Sequence, residues 1–171
     1  FSSNVLFWLE SGYFDTANEL KPLLHTWSLA VEEQYYIFFP LLLRALWGRS
    51  RRGLLVTLAV VFLASLALAE HGSRAYPSAT FYLLPARAWE LLLGAFTALY
   101  LREHPLPHRA ERIHQQLGSA AGLALIALSI VAYDATTPFP GFYALVPTVG
   151  TALVLLYAVP GTAVAALLSR P

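Results

Sequence analysis

Two groups of polar side chains interrupt stretches of the sequence that are otherwise apolar. Glu32, Glu33 and Gln34 lie in one stretch, and Arg87 and Glu90 lie in another. If these stretches cross a lipid bilayer, each charge costs about 2.5–3.5 kcal/mol at the middle of a helix, so it is kept where it faces a cavity, pairs with another charge or takes part in chemistry. Carboxylates, an amide and a guanidinium at a similar depth predict one polar pocket that binds a substrate.

Spacing along a helix separates these residues into faces. Arg87 and Glu90 are three residues apart, so they share a face and are expected to form an ion pair. Glu32 and Glu33 are adjacent and therefore point about 100° apart. We expect Glu32, which shares its face with aromatic residues, to point toward the polar interior and Glu33 to take a more peripheral position.

A structural explanation of the same residues is also open. Carboxylates near the amino-terminal end of a helix are stabilised by the helix dipole, so the glutamates would then be interfacial residues. Ser28 would cap that helix, with His25 and Trp27 in the headgroup region. The pair of Arg87 and Glu90 would serve only to join helices.

The composition excludes several classes of protein. Of the 171 residues, 57% are hydrophobic and 12% are charged, whereas a soluble domain has about 45–50% apolar and about 25% charged residues. Too little polar surface is left to cover a soluble globule, and the apolar content also excludes a disordered chain. The net charge of +1 leaves no basic surface for nucleic acid. Cysteine is absent and the histidines lack metal-ligand spacing, so no metal is expected.

Five stretches are long and apolar enough to predict membrane-spanning helices, which need roughly 17–25 residues. They are residues 27–47, 53–69, 81–101, 117–133 and 142–159, and a short apolar tail at 162–168 fits the start of a sixth. The fold class that follows is all-α, a polytopic transmembrane helical bundle, in one membrane domain over residues 1–171. Because the chain begins with Phe1 rather than Met, we expect it to be the central piece of a larger membrane protein.

Basic residues predict the orientation of these spans, since the cytoplasmic loops of membrane proteins are enriched in Lys and Arg. The loops at 48–53 and 102–116 each contain three arginines, whereas the alternate loops contain Arg74 or no basic residue. We therefore expect the amino-terminal segment to lie outside and the two arginine-rich loops to lie in the cytoplasm. In this orientation both polar groups lie in the outer half of the membrane.

Three sequence motifs follow one another along the chain. Residues 24–36 read LHTWSLAVEEQYY and are followed by FFP at 38–40, and residues 81–95 read FYLLPARAWELLLGA. The third motif is weaker, with PG at 140–141 and LVPTVG at 145–150. In this order the motifs resemble the signature segments of the membrane-bound acyltransferase-3 family, the O-acetyltransferases of bacterial surface polysaccharides.

The resemblance implies a multi-pass enzyme of the bacterial inner membrane with about ten helices, of which this chain would hold about five. Such enzymes transfer an acyl group, usually acetyl from cytoplasmic acetyl-CoA, to a sugar hydroxyl outside the cytoplasm, and they hold no bound cofactor. The expected partners are thus an acyl-CoA donor, a carbohydrate acceptor and the lipid bilayer, but no nucleic acid.

The resemblance also assigns roles to residues. Glu32, Arg87 and Glu90 match family positions and are expected to be catalytic. Glu32 would orient an imidazole or hold sugar hydroxyls, Arg87 would stabilise developing negative charge, and Glu90 would fix the rotamer of Arg87. The family's catalytic basic residue and histidine belong to a first helix that has no match here, so this chain alone is expected to be inactive. The expected substrate-binding residues are His25, Trp27, Ser28, Glu33, Gln34, Tyr36 and Trp89.

Two other functions remain open on the sequence alone. In a transporter or flippase the charges would mark a substrate path, and Pro40 and Pro85 fit the interrupted helices of that class. A non-catalytic membrane scaffold is the other. Transfer of labelled acetyl from acetyl-CoA distinguishes the enzyme from both.

Overall fold

The computed structural model describes residues 2–10, 23–104, 112–134 and 136–169, and the regular structure of these residues is entirely α-helical. The helices are α1 (Ser3–Glu10), α2 (Thr26–Ala45), α3 (Arg51–Ala75), α4 (Pro77–Tyr82), α5 (Leu84–Glu103), α6 (Arg112–Ala132), α7 (Phe142–Tyr157) and α8 (Ala163–Leu168). The all-α fold class is therefore confirmed. Residues 105–111 of the predicted loop at 102–116, including Arg109, lie outside the described residues.

Each of the five predicted spans coincides with helix, but length and apolar composition single out two helices as able to cross a membrane. These are α3, with 25 residues, and α6, with 21. Helix α7 is a shorter apolar helix of 16 residues, while α2 and α5 have 20 residues each and carry the charged residues discussed above. The helices at these positions are confirmed, whereas five membrane crossings stay a prediction.

The third predicted span, 81–101, is divided between two helices, which corrects the expectation of a single one. Helix α4 ends at Tyr82, and extended backbone at Leu83 (φ −97°, ψ 138°) separates it from α5. Pro85 explains the break, because it has no N–H for the carbonyl of Phe81 and its ring would collide with that carbonyl in a continuous helix. In the first turn of α5 the proline is tolerated, since no intrahelical partner is needed there.

The start of α2 corrects the capping role considered for Ser28. Helix α2 begins at Thr26 with His25 at the N-cap position, and the Ser28 hydroxyl donates to the His25 carbonyl (3.2 Å). Ser28 therefore lies inside the first turn. A side-chain cap occurs instead at α3, where the Ser50 hydroxyl accepts the N–H of Gly53 (3.2 Å).

The described helices form two compact units, of which the first contains α1 to α4, the start of α5 and the loop Pro138–Phe142. Helix α1 packs against α2 and α4, and α3 packs against α4. In α1, Asn4 is fully buried. Its side-chain amide exchanges two hydrogen bonds with that of Gln34 (2.9 and 3.3 Å) and donates a third to the Tyr82 carbonyl (3.1 Å). Helix α1 has no counterpart among the predicted elements, and these bonds attach it to α2 and α4.

The second unit contains the rest of α5 together with α6, α7 and α8. Helices α6 and α7 approach closely at two glycines, since a methyl group added at Gly122 would lie 2.6 Å from the Gly150 carbonyl oxygen. Small residues allow helix backbones in membranes to come this close. At the turn between the helices, the Tyr133 hydroxyl donates to the Tyr143 carbonyl (2.9 Å). Helices α6 and α7 thus form a closely packed hairpin.

Candidate active site

The start of α5 is held by a hydroxyl group from α3. Ser65 donates to the carbonyl of Pro85 (2.6 Å) and accepts the backbone N–H of Trp89 (3.0 Å). These two backbone groups are four residues apart, which is the spacing of the two partners in an α-helical hydrogen bond. The Ser65 hydroxyl therefore bridges a carbonyl and an N–H that would otherwise face each other along the helix. Trp89 is fully buried, and its ring packs edge-on against Phe62 with centroids 6.2 Å apart. The turn of helix that carries Arg87 is thereby anchored to α3.

The ion pair predicted for Arg87 and Glu90 is present. Arg87 Nη2 lies 3.2 Å from Glu90 Oε2, and the two side chains are 15% and 21% exposed. The second guanidinium nitrogen, Nη1, and the second carboxylate oxygen, Oε1, are buried without a hydrogen-bond partner among the residues that the structure describes. A buried polar group left unpaired costs about 1–3 kcal/mol. The pair therefore keeps one buried donor and one buried acceptor that have no hydrogen-bond partner among the described residues.

Three aromatic rings surround the Arg87 guanidinium and form what we call the aromatic enclosure. The guanidinium carbon lies 5.3 Å from the ring centroid of Trp27, 5.7 Å from that of Phe81 and 5.6 Å from that of Phe139. The rings come from α2, α4 and the loop Pro138–Phe142, respectively. Each is within the range of cation–π attraction. Hydrogen bonds made by Arg87 are strengthened there, because the apolar rings lower the local dielectric constant.

The enclosure lies where several helices begin or end on the same side of the first unit. Trp27 is in the first turn of α2 and Arg87 is in the first turn of α5, while Phe139 precedes the start of α7. Arg49 follows the carboxyl-terminal end of α2, and Arg102 lies in the last turn of α5. Helices α2 and α5 therefore both begin at the enclosure, at the end that is expected to lie outside the cytoplasm.

The structure brings Trp27, rather than Glu32, against Arg87. Glu32 lies five residues further along α2, which corresponds to about 7.5 Å of helical rise. Its side chain is half-buried, and within the described ranges the ion pair of Arg87 is with Glu90 rather than with Glu32. Direct contacts therefore do not join all of these charges into one pocket. The catalytic role of Glu32 stays a prediction.

The remaining predicted site residues are distributed between surface and core. Gln34 is bonded to Asn4, and Trp89 lies in the packed interior of the first unit. Those at the surface or half-buried in α2 and its N-cap are His25, Ser28, Glu33 and Tyr36. Glu33 is more exposed than Glu32, which agrees with the more peripheral position expected for Glu33. Their substrate-binding roles stay predictions.

Sequence reasoning missed three residues of the site, Ser65, Phe81 and Phe139, of which Phe81 begins the second motif. Ser65 is one polar residue within the long apolar helix α3, and nothing in its sequence context indicates its bonds to α5. Phe139 stands directly before the Pro-Gly motif at 140–141, which is the signal that its loop has a defined conformation. That the loop reaches Arg87 is a tertiary contact, and no local pattern predicts it.

The polar groups of the site suit a bound molecule that carries oxygen atoms. Across the described ranges, no three His, Asp or Glu side chains are grouped as metal ligands would be. The site offers instead a donor at Arg87 Nη1, an acceptor at Glu90 Oε1 and three aromatic rings. A cationic donor in water-poor surroundings can stabilise an oxyanion, which is the charge that develops during acyl transfer.

The first unit thus combines a long apolar helix, α3, with an enclosed Arg–Glu pair near the start of α5. Comparison with known proteins identifies the class further, because a family model described as an acyltransferase domain, the acyltransferase-3 model, matches residues 1–168. The chain belongs to this family, as its three motifs predict. Family membership and the two long apolar helices together indicate a membrane protein.

Individual proteins are also similar to this chain. An uncharacterized protein of Haemophilus influenzae is 30% identical over 162 residues, which cover 91% of this chain and 66% of that protein. The O-acetyltransferase OatA of Staphylococcus aureus is 38% identical over 96 residues, which cover 53% of this chain and 16% of that protein. The chain thus spans about two thirds of the first relative and about a sixth of the second. No solved structure matches the chain.

Proposed function

We propose that the chain forms part of an integral-membrane O-acyltransferase. The enzyme would take acetyl from cytoplasmic acetyl-CoA and deliver it to a sugar hydroxyl of a cell-surface polysaccharide, from a multi-pass position in the bacterial inner membrane. Membership of the acyltransferase domain family supports the reaction type, and similarity to a protein named O-acetyltransferase OatA supports acetyl as the transferred group. The carbohydrate acceptor rests on the resemblance of the motifs.

The observation that carries this proposal is the unpaired Nη1 of Arg87 inside the aromatic enclosure. When the acceptor hydroxyl attacks the acyl carbonyl, a carbon–oxygen bond forms and the carbonyl oxygen becomes negatively charged. Arg87 would donate from Nη1 to that oxygen, while Glu90 holds Nη2 and so fixes the plane of the guanidinium. Collapse of the intermediate then breaks the bond between the acyl carbon and its donor group.

The hydroxyl proton also needs an acceptor. The unpaired Glu90 Oε1 can accept a hydrogen bond from the sugar hydroxyl and so orient it. Because Glu90 forms an ion pair with Arg87, it is not proposed as the general base. Glu32, which matches the family signature, would orient the base or hold other sugar hydroxyls. The family resemblance assigns the base to a histidine that has no match in this chain.

A transfer assay with the full-length protein tests the proposal. Membrane vesicles carrying the protein receive labelled acetyl-CoA and a polysaccharide acceptor, and ester-linked label on the polysaccharide is measured. Arg87→Lys keeps the charge but loses the planar fork. We expect its rate to fall about 100-fold, as when one oxyanion donor is removed from other acyl-transfer enzymes.

Arg44→Lys is the matched control, because Arg44 is an exposed residue in the last turn of α2, far along the helix from the enclosure. Its rate is expected to equal that of the unmodified protein. Nearly full activity of Arg87→Lys would remove Arg87 from the reaction. The unmodified protein could also form no ester and instead move intact acceptor or donor across the vesicle membrane. That result would indicate a transporter rather than an enzyme.

A further inference from the structure

Glu70, near the end of α3, makes a long-range contact with the start of α7. Its Oε2 accepts the backbone N–H of Phe142 (2.9 Å), a residue 72 positions away in the sequence. Phe142 is the first residue of α7, and its N–H is one of the helix N-terminal donors that lack an intrahelical partner. A carboxylate at this position also interacts favourably with the helix dipole. The second oxygen, Oε1, accepts from Arg74 (2.6 Å) in a pair that is largely open to solvent at the arginine.

The backbone next to this contact lies directly against α3. A methyl group built on Gly141 would come 2.5 Å from Glu70 Oε2, 3.2 Å from Ser73 Oγ and 3.4 Å from Glu70 Cα. A side chain at this position would therefore require the Glu70 carboxylate to shift. Pro140, the preceding residue, is fully buried. The Pro-Gly motif thus allows the loop to fit onto α3 at Glu70.

The same loop supplies one wall of the aromatic enclosure. Phe139 lies three residues before Phe142, and its ring centroid is 5.6 Å from the Arg87 guanidinium carbon. The ring is 37% exposed, so it forms a wall that borders solvent. Glu70 therefore contacts one end of this loop, at Gly141 and Phe142. Phe139, at the other end of the same loop, contacts Arg87.

We propose that Glu70 is a positioning residue for acyl transfer, which holds the loop Pro138–Phe142 on α3 and so holds Phe139 over Arg87. The inference rests on the proposed function for its effect on the reaction, but the anchoring of the loop is independent of that function. Without Glu70 the ring of Phe139 leaves the guanidinium, water reaches Arg87, and the oxyanion is less well stabilised. Substrate binding elsewhere in the protein is unchanged, so the loss falls on kcat rather than on KM.

A labelling experiment tests the anchor without reference to activity. Phe139→Cys is introduced into the full-length protein, and its rate of reaction with a water-soluble maleimide is followed by mass spectrometry of the peptide that contains it. In a Glu70→Ala background we expect the rate to rise about fivefold. In an Arg74→Gln background, which leaves the bond between Glu70 and Phe142 intact, we expect no change. Equal rates in all three proteins would overturn the anchor.

Transfer assays then test whether the anchor matters for the reaction. We expect Glu70→Ala to lower kcat about tenfold with little change in KM, and Phe139→Leu to do the same. The double variant should be no slower than either single one, since both act by removing the ring from Arg87. Glu70→Gln should recover most of the rate, because its amide oxygen can still accept the Phe142 N–H. The amount of folded protein is measured for each variant.

The outcomes separate this inference from the proposed function. An inactive unmodified protein together with faster labelling in Glu70→Ala would reject acyl transfer and leave the anchor standing. An active protein whose Glu70→Ala variant keeps full kcat, or a double variant whose losses multiply, would reject the positioning role and leave acyl transfer standing.

Discussion

The Arg87 guanidinium is held by two kinds of contact that respond differently to substitution. Its ion pair with Glu90 balances a charge that is mostly removed from water, while the aromatic rings contribute attraction without neutralising it. Removing the carboxylate therefore leaves an uncompensated charge, whereas removing one ring leaves the ion pair in place. The two contacts are predicted to divide between stability and activity, with Glu90 contributing more to stability and Phe139 more to activity.

Glu90→Ala tests the stabilising part of this division. Breaking a buried ion pair from one side costs about 3–5 kcal/mol, and we expect the lower end of that range because the side chains keep 15% and 21% exposure. The variant should unfold at a clearly lower temperature in detergent, as measured by loss of helical circular dichroism. Glu90→Gln, which keeps an oxygen for Arg87, should lose much less. An unchanged unfolding temperature for Glu90→Ala would show that the pair does not support the fold.

Single residues of the site differ in how far the sequence predicts them. The pairing of Arg87 with Glu90 follows from their three-residue spacing on one helix, which is a local property. The rings that surround Arg87 come from positions 27, 81 and 139, and only tertiary packing brings such distant residues together. The same limit applies to Ser65, whose bonds to α5 connect residues at least 20 positions apart.

Among the elements, α1 shows how a short helix depends on its neighbours. A helix of eight residues has little stability by itself in water, because helix nucleation is unfavourable and so short a helix forms few hydrogen bonds to offset it. At eight residues it is also too short to be predicted as a membrane span. The buried Asn4 attaches it to α2 through Gln34 and to α4 through the Tyr82 carbonyl.

Asn4→Leu is the corresponding prediction. Leucine has a similar volume but makes none of the three hydrogen bonds, each of which is worth about 0.5–1.5 kcal/mol. We expect the free energy of unfolding to fall by about 2–4 kcal/mol in total, and α1 to become accessible to protease before the rest of the first unit. Leu9→Ala is the control, since Leu9 is 68% exposed in the same helix. Equal protease resistance of the Asn4→Leu and unmodified proteins would contradict the attachment.

At the scale of the whole chain, helix lengths and charge distribution give a consistent arrangement. With a rise of about 1.5 Å per residue, the 25 residues of α3 extend about 37 Å, which exceeds the roughly 30 Å hydrocarbon core of a bilayer. If α3 crosses the membrane, the segments that flank it lie on opposite sides. Sequence periodicity and composition predict this much, because both are properties of the helix itself. The break at Leu83 is less visible, since proline is compatible both with a kinked helix and with a new one.

Cysteine labelling in intact cells tests the resulting orientation. This chain contains no cysteine, so single cysteines can be placed at exposed positions next to the helix ends. Tyr76→Cys after α3 and Thr136→Cys after α6 are expected to react with a membrane-impermeant maleimide. Arg49→Cys and His104→Cys, which lie beyond the other ends of α2 and α5, are expected to react only after the membrane is permeabilised. The reverse pattern would place Arg87 and its aromatic enclosure at the cytoplasmic end of the helices. In that case acetyl would be transferred before it crosses the membrane, and the acceptor would have to be a cytoplasmic precursor rather than a finished surface polysaccharide.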